Sequence, residues 1–158
     1  MLKPNALTEQ LTALCRLLAD KQFGVGGSCL LWQLGLVDKP TDIDLVCTEA
    51  DFAAISALLT NAGYQAQAIK SDPMYATAKF SHFTYAGGRS IDLMAGIAVR
   101  KDNGVSAFTF HPERCRWQDG ICWMPPADWL HIYQLFGRSE RVAQLRQYLV
   151  QLRLGSLS

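Results

Sequence analysis

The sequence predicts a single mixed α/β (α+β) domain in which a small mixed β-sheet is backed by helices, with further helices at its C-terminal end. Two observations favour this class. The chain has 158 residues, 49% of them hydrophobic, which suits one buried core. Segments with helical periodicity follow segments with strand-like alternation, and no repeat or low-complexity stretch interrupts them. We expect residues 1–158 to form one domain, with a core in 1–98 and C-terminal loops and helices in 99–158.

The first half of the chain contains three predicted helices and four predicted strands. Helices are predicted over 6–20, 28–35 and 49–62, because apolar residues recur at helical spacing in these segments or glycines mark their ends. Alternating or β-prone residues predict strands 23–25, 42–47, 75–85 and 90–97, with a hairpin turn at 86–89. We expect strands 42–47, 75–85 and 90–97 to form the sheet, and helices 6–20 and 49–62 to back it.

The second half has a weaker pattern. Residues 98–120 contain polar turns around a short apolar stretch, which predicts loops and one or two short strands. A helix is predicted over 129–136, after two prolines and before Gly137, and Ser139 is the expected cap of a last helix that extends to about residue 152.

Composition excludes several classes of protein. The N-terminal residues resemble neither a signal peptide nor a membrane span, so we expect a cytoplasmic protein that is not bound to a membrane. Five scattered cysteines without a CxxC pair predict reduced thiols. The net charge is +1, with seven basic and nine acidic residues before position 99 and eight and five after it. This charge distribution is too even to indicate a nucleic-acid-binding protein, so nucleic acid is a possible partner without support from charge.

One stretch carries the chemistry. Gly26, Gly27 and Ser28 lie at the N-terminus of a predicted helix, where glycine leaves backbone N–H groups accessible to phosphate. After thirteen intervening residues, Asp42 and Asp44 flank Ile43 in a strand, so both carboxylates point to the same face while Ile43 and Leu45 point to the core. A phosphate site beside two carboxylates suits a metal-bound nucleoside triphosphate, provided that a third acid joins them.

Asp92 is the expected third acid. It lies between Ile91 and Leu93 on the strand that follows the predicted hairpin turn. Alternation buries those two neighbours and directs the Asp92 carboxylate to the opposite face. If the strands of Asp42, Asp44 and Asp92 are adjacent, their carboxylates converge.

This order of motifs resembles the nucleotidyltransferase superfamily related to DNA polymerase beta. Gly-Gly-Ser, acid-x-acid and Ile91-Asp92-Leu93 carry the resemblance, which extends loosely to Asp128–Arg138, a helix followed by Gly-Arg. It implies that Asp42, Asp44 and Asp92 bind Mg²⁺ or Mn²⁺ and act in catalysis, the last as a metal ligand or as activator of an acceptor hydroxyl. It also implies that a nucleoside triphosphate binds at a site formed by Gly26, Gly27, Ser28 and Arg138.

Two function classes follow. In the first, a nucleoside monophosphate passes from the triphosphate to a hydroxyl of a small molecule, a protein or an RNA end, with release of pyrophosphate. Residues 98–158 or a second subunit would form the other wall of the cleft, so a homodimer is one possibility. In the second, the chain is a non-catalytic binding module. Small family members often carry a lysine in the penultimate helix and a Lys-Asp pair after Gly-Arg, where this chain has His131-Ile132-Tyr133 and Glu140-Arg141. Arg141, Lys79 and Arg89 are further candidates for the missing positive charge.

Three other groups of residues have structural interpretations that we favour over functional ones. A zinc site of His111, Cys115, Cys122 and His131 lacks the usual close ligand pairs. Trp117, Trp123 and Trp129 are typical of a second core layer as well as of a base-stacking surface. His82 is interpreted as a hydrogen-bonded or surface histidine, because Asp92 already fills the role of a base.

Overall fold

A computed structural model describes residues 4–157 of the chain. Within them lie five α-helices: α1 (Pro4–Leu17), α2 (Gly27–Gln33), α3 (Glu49–Asn61), α4 (Pro126–Leu135) and α5 (Ser139–Leu157). The strands are β1 (Phe23–Gly26), β2 (Ile43–Cys47), β3 (Gln65–Gln67), β4 (Lys79–Thr84), β5 (Ile91–Ala95), β6 (Ala98–Lys101), β7 (Gly104–Ala107), β8 (Arg116–Gln118) and β9 (Ile121–Trp123).

Seven of these strands form one mixed sheet in the order β3-β4-β5-β2-β1-β9-β8, and β6 pairs with β7 separately. The two strands predicted to carry the acids are neighbours at its centre, since β2 pairs with β5 in parallel. On either side of this pair the partners are antiparallel, β1 beside β2 and β4 beside β5. The predicted mixed sheet with helices behind it is confirmed.

The core lies on one face of the sheet because alternate residues of the central strands are apolar. Ile43, Leu45, Ile91 and Leu93 have no exposed surface, as their alternation predicts. Helices α1 and α3 contribute residues to the same core, among them Leu11 and Leu59. Residues that alternate with these apolar ones are left on the opposite face, where Asp44 and Asp92 lie.

The helix ends follow the local sequence signals. Helix α2 ends before Gly35, whose φ is +79°, and the N–H of Leu36 donates to the carbonyl of Leu31 at 2.8 Å. Helix α3 begins after Thr48, whose hydroxyl accepts the N–H of Asp51 at 3.3 Å. Helix α1 ends three residues before the predicted residue 20, and α5 continues five residues beyond the predicted 152.

Two strand predictions were wrong in extent, and two strands were missed. Residues 75–78 do not belong to β4, because Tyr75 instead forms an isolated bridge with Val99. The segment 90–97 is interrupted at Gly96, where a φ of +65° turns the chain into β6. Strands β3 and β9 were not predicted, and β9 is the parallel neighbour of β1. The short β9, Ile-Cys-Trp, is fully buried, so it shows no alternation of polar and apolar residues.

None of the helices within residues 4–157 is long and apolar enough to cross a membrane. The expectation that the N-terminus carries no signal peptide falls partly on residues 1–3, outside the described residues. The five cysteines are free thiols, as predicted.

Candidate active site

The register of the central strands brings two of the predicted acids together. Asp44 of β2 lies opposite Asp92 of β5 in the parallel pair. Asp42 directly precedes β2 and is half-buried, as are the other two. One oxygen of Asp42 and one of Asp92 come within 4.8 Å of each other. The convergence of carboxylates therefore follows from the alternation on two strands and from their in-register pairing.

The loop before Asp42 is tied to neighbouring elements by hydrogen bonds. Ser28 accepts the backbone N–H of Thr41 at 2.9 Å through its hydroxyl oxygen, which also lies 3.2 Å from the Thr41 hydroxyl. The Arg89 guanidinium donates to the carbonyls of Pro40 and Thr41. These bonds fix the start of β2 and hence the position of Asp42. The Ser28 hydroxyl thus has a structural role in holding Thr41.

Both glycines of the predicted phosphate motif are in places where a side chain does not fit. A Cβ on Gly26 would overlap the indole of Trp129, which is buried and donates its Nε1–H to the Met124 sulfur at 3.1 Å. A Cβ on Gly27 would overlap the Asp44 carboxylate, and the φ of Gly27 is +63°. Glycine is needed here because two buried groups approach the backbone closely.

Burial, and after it the charge of neighbouring carboxylates, raises the pKa values of Asp42 and Asp44. The pKa of Asp44 is raised from 3.8 to about 8, first by burial and then by the charges of Asp92 and Asp42, while Arg138 acts in the opposite direction. The pKa of Asp42 is also raised, by burial and by the charge of Asp92. Negative charge therefore accumulates at this point of the sheet, as expected of a cation site.

His82 is the residue of the site that the sequence analysis did not assign. It lies opposite Asp92 in the antiparallel pair of β4 and β5, and its Nδ1 is 2.6 Å from Asp92 Oδ1. A ring nitrogen of His82 and one oxygen each of Asp42 and Asp92 all lie within 4.8 Å of one another. The interpretation of His82 as a hydrogen-bonded histidine is consistent with this, but its partner belongs to the site.

A cavity of about 620 Å³ opens beside the acids. Ser28, Asp44 and Asp92 are among its lining residues. The lining also includes aromatic residues from three segments, namely Tyr75, Phe80 and Phe136, and the rings of Tyr75 and Phe136 meet edge to face at 5.4 Å. The volume is typical of sites for small organic ligands.

Two of the four candidate cations reach this cavity. Arg138 and Arg141 both line it, and Arg138 also lies over the Tyr133 ring at 5.9 Å. Burial and the charge of Asp44 raise the pKa of Tyr133 to about 12. Lys79 lies instead over the ring of Phe52, and the Arg89 guanidinium donates a hydrogen bond to the Thr41 carbonyl in the loop before Asp42. The charge of Arg138 acts on Asp44, and its role in binding a nucleotide stays a prediction.

The alternative sites of the sequence analysis are not assembled in the described residues. The group of possible metal ligands found in residues 4–157 contains none of the proposed zinc ligands His111, Cys115, Cys122 and His131. Trp123 and Trp129 are buried, whereas Trp117 is exposed on β8, so the three do not form a common base-stacking surface.

The donor set fits a divalent cation. Asp42, Asp44 and Asp92 supply oxygen ligands of the kind that Mg²⁺ and Mn²⁺ prefer. The pKa values of Asp42 and Asp44 are raised first by burial and then by the charge of neighbouring carboxylates, which a cation would offset. The carboxylate of Asp44 lies beside Gly27, outside the close group of Asp42, His82 and Asp92.

Comparison with known proteins gives matches in structure alone. No family model and no curated protein matches the sequence. A proposed nucleotidyltransferase, TM1012 from Thermotoga maritima, is similar over 96% of each chain, with 19% identity and a TM-score of 0.69. The lincosamide antibiotic adenylyltransferase LnuA, solved with lincomycin, matches over 93% of this chain and 98% of its own, with 11% identity and a TM-score of 0.58.

A third similar structure is ANT(2")-Ia in complex with adenylyl-2"-tobramycin, with 12% identity, a TM-score of 0.55 and coverage of 95% of this chain and 90% of its own. The three are nucleotidyltransferase-fold proteins and match nearly the whole chain. The central β2–β5 pair, the glycine turn before α2 and the helices behind the sheet therefore belong to a known architecture: this chain has the nucleotidyltransferase fold.

Proposed function

We propose that this protein is a metal-dependent nucleotidyltransferase that transfers a nucleoside monophosphate from a nucleoside triphosphate to a hydroxyl of a small molecule and releases pyrophosphate. The observation that carries the proposal is the pairing of Asp44 with Asp92 on adjacent parallel strands, with Asp42 beside them and Gly27 against Asp44. ATP is the first donor to test, because two of the similar structures are adenylyltransferases.

The triphosphate would bind at the start of α2. Gly27 and Ser28 are the first residues of this helix, where backbone N–H groups have no partner within the helix. Arg138 lines the cavity and acts on the charge of Asp44. A guanidinium offsets phosphate charge well because it donates several N–H bonds in fixed geometry.

Transfer requires the acceptor oxygen to form a bond to the α-phosphorus while the bond from that phosphorus to the pyrophosphate oxygen breaks. The bound cations would neutralise charge on the triphosphate and lower the pKa of the acceptor hydroxyl. Asp42 and Asp44 would hold the nucleotide-bound cation, and Asp42 and Asp92 the other. Asp92 is also suited to take the acceptor's proton, since it lines the cavity in which the acceptor would lie.

A small-molecule acceptor fits the cavity better than a macromolecule does. The volume of about 620 Å³ falls in the range of small-ligand sites. Its aromatic side chains Tyr75 and Phe80 are well exposed, so they offer stacking surface next to Asp92. Lincomycin and tobramycin, the compounds in two of the similar structures, are acceptors of this size class.

Calorimetry tests the nucleotide site first. Wild-type protein should bind ATP or another of the four triphosphates in the presence of Mg²⁺, and the double variant Asp42→Asn/Asp44→Asn should lose that binding. Asp20→Asn is the matched control, because its side chain is 80% exposed and far from the carboxylate group in sequence. Equal binding by wild type and the double variant would contradict the proposal and favour a non-catalytic module.

Turnover is tested by pyrophosphate release with α-labelled triphosphates and pooled hydroxyl compounds, including lincomycin and tobramycin. A labelled product that depends on acceptor, metal and Asp92 together is the expected result. Binding without transfer to any small molecule would direct the search to protein or RNA acceptors.

A further inference from the structure

His82 and Asp92 form a side-chain pair within the proposed metal site. Their strands pair in antiparallel register, and the ring Nδ1 stands 2.6 Å from the Asp92 carboxylate. Both side chains are partly exposed, His82 at 27% and Asp92 at 25%, so an ion can reach them from solvent. A histidine at this point adds a nitrogen donor to a site that otherwise consists of carboxylates.

The distances suit a single ion. Ligand bonds of about 2.1 Å separate two donors of one ion by about 3–4.2 Å. A ring nitrogen of His82 and oxygens of Asp42 and Asp92 all lie within 4.8 Å of one another, so movements of a few tenths of an ångström would bring all three onto one ion. The antiparallel pairing of β4 with β5 holds the His82 ring beside Asp92, and their hydrogen bond would give way to separate bonds to the ion when both residues bind it.

Imidazole nitrogen changes the preferred metal. Mg²⁺ binds oxygen ligands almost exclusively, whereas first-row transition ions accept imidazole readily. We propose that His82 is a metal ligand, so that the position formed by Asp42, His82 and Asp92 holds a transition ion such as Mn²⁺ or Co²⁺ in preference to Mg²⁺. The inference rests on the proposed function, because it concerns one of the metal positions of that site.

The test compares metal affinities without substrate. Mg²⁺, Mn²⁺ and Co²⁺ are titrated by calorimetry into wild type, His82→Ala, His82→Gln and His111→Ala. His111 is the control because its ring Nδ1 lies 3.2 Å from Glu113 and the residue is outside the group of Asp42, His82 and Asp92. We expect His82→Ala and His82→Gln to weaken Co²⁺ and Mn²⁺ about 10-fold or more and Mg²⁺ far less. His82→Gln keeps a hydrogen-bond donor for Asp92, so it separates loss of the ligand from loss of Asp92 orientation.

Electron spin echo envelope modulation of bound Mn²⁺ gives a direct readout. Coupling to a directly bound imidazole nitrogen should appear in wild type and His111→Ala and disappear in His82→Ala. Absence of that coupling in wild type, or an equal loss of Mg²⁺ and Co²⁺ affinity in the variants, would overturn the proposal and leave His82 as a positioning residue.

The two proposals fail separately. Nucleotidyl transfer that depends on Mg²⁺, without nitrogen coupling, would reject the histidine ligand alone. Nitrogen coupling without any nucleotide binding would reject the transferase and retain the metal position. If neither Mn²⁺ nor Co²⁺ binds the wild type, the ligand proposal is overturned outright.

Discussion

The Asp44 carboxylate occupies the space in which a side chain on Gly27 would stand. Gly27 has a φ of +63° and opens α2, while Asp44 comes from the middle of β2. The phosphate motif and the acid motif, separate in the sequence, are therefore in contact. A change at Gly27 must act on Asp44, which makes this contact the most direct test of the site.

Gly27→Ala should reduce metal and nucleotide binding and also destabilise the fold. The positive φ costs about 1–2 kcal/mol for a residue with a Cβ, and overpacking against Asp44 adds about 1–3 kcal/mol. Gly35→Ala is the matched control, since its φ is +79° but nothing lies within 4 Å of the added Cβ. Urea unfolding should show a lower free energy of unfolding in both variants, whereas calorimetry with Mg²⁺ and ATP should show weaker binding only in Gly27→Ala. Equal binding by both variants would contradict the close contact.

Arg138→Ala should weaken triphosphate binding about 10-fold, which corresponds to about 1.4 kcal/mol. Arg138 lines the cavity and counters the negative charge at Asp44, so its loss leaves phosphate and carboxylate charge less balanced. Arg146→Ala, on the exposed surface of α5, is the control with the same change of charge. The measurement is the dissociation constant for ATP in the presence of Mg²⁺. Identical effects of the two variants would contradict a role of Arg138 in triphosphate binding.

Alternation on two strands was sufficient to predict which face of the sheet the acids occupy. Ile43, Leu45, Ile91 and Leu93 are apolar at every second position, so Asp44 and Asp92 had to lie on the other face. The glycine turn and the short connection to β2 then placed the phosphate motif nearby. The parallel pairing of β2 with β5 was not predicted, because alternation does not determine which strands are neighbours or in which direction they run.

The role of His82 could not be predicted, because it depends on a register that the turn residues leave ambiguous. A four-residue turn at 86–89 would place Phe83 opposite Asp92, whereas the observed pairing places His82 there. A slip of one residue moves every side chain of a strand to the other face. The burial of Phe83, which has 1% exposed surface, fixes the observed register, and this is a tertiary effect. Strand β9 was missed for a similar reason, since a fully buried strand of three residues has no periodicity.

Without metal, the protein should become less stable as pH rises from about 6 to about 9, and Asp44→Asn should reduce this dependence. The pKa of Asp44 is raised from 3.8 to about 8 in the folded state. A raised carboxyl pKa contributes stability that is fully present below the unfolded value and is lost as pH rises through the folded value. Since asparagine stays neutral, the variant should be the more stable protein at about pH 9.

Mg²⁺ should oppose this loss, because the ion binds the ionised carboxylates and relieves their repulsion. Thermal unfolding with EDTA or with Mg²⁺ at the two pH values measures the effect. The increase in midpoint caused by Mg²⁺ should be larger at about pH 9 than at about pH 6 in wild type and small at both in Asp44→Asn. A wild type that is equally stable at both pH values would show that Asp44 is ionised throughout.

Asp92→Ala should separate binding from turnover. Asp42 and Asp44 remain to hold the nucleotide-bound cation, so ATP affinity should stay within about 3-fold while turnover falls by about 100-fold or more. Asp92→Asn should behave alike, because it keeps the shape of the side chain but removes the charge that a cation or an acceptor proton needs. Asp42→Ala should weaken both binding and turnover. An oxygen of Asp42 lies within 4.8 Å of one of Asp92, and the charge of Asp42 also acts on Asp44. Pre-steady-state measurement of pyrophosphate release, with a genuine acceptor present, distinguishes the chemical step from product release. Equal turnover in wild type and Asp92→Ala would reject a catalytic role for this carboxylate.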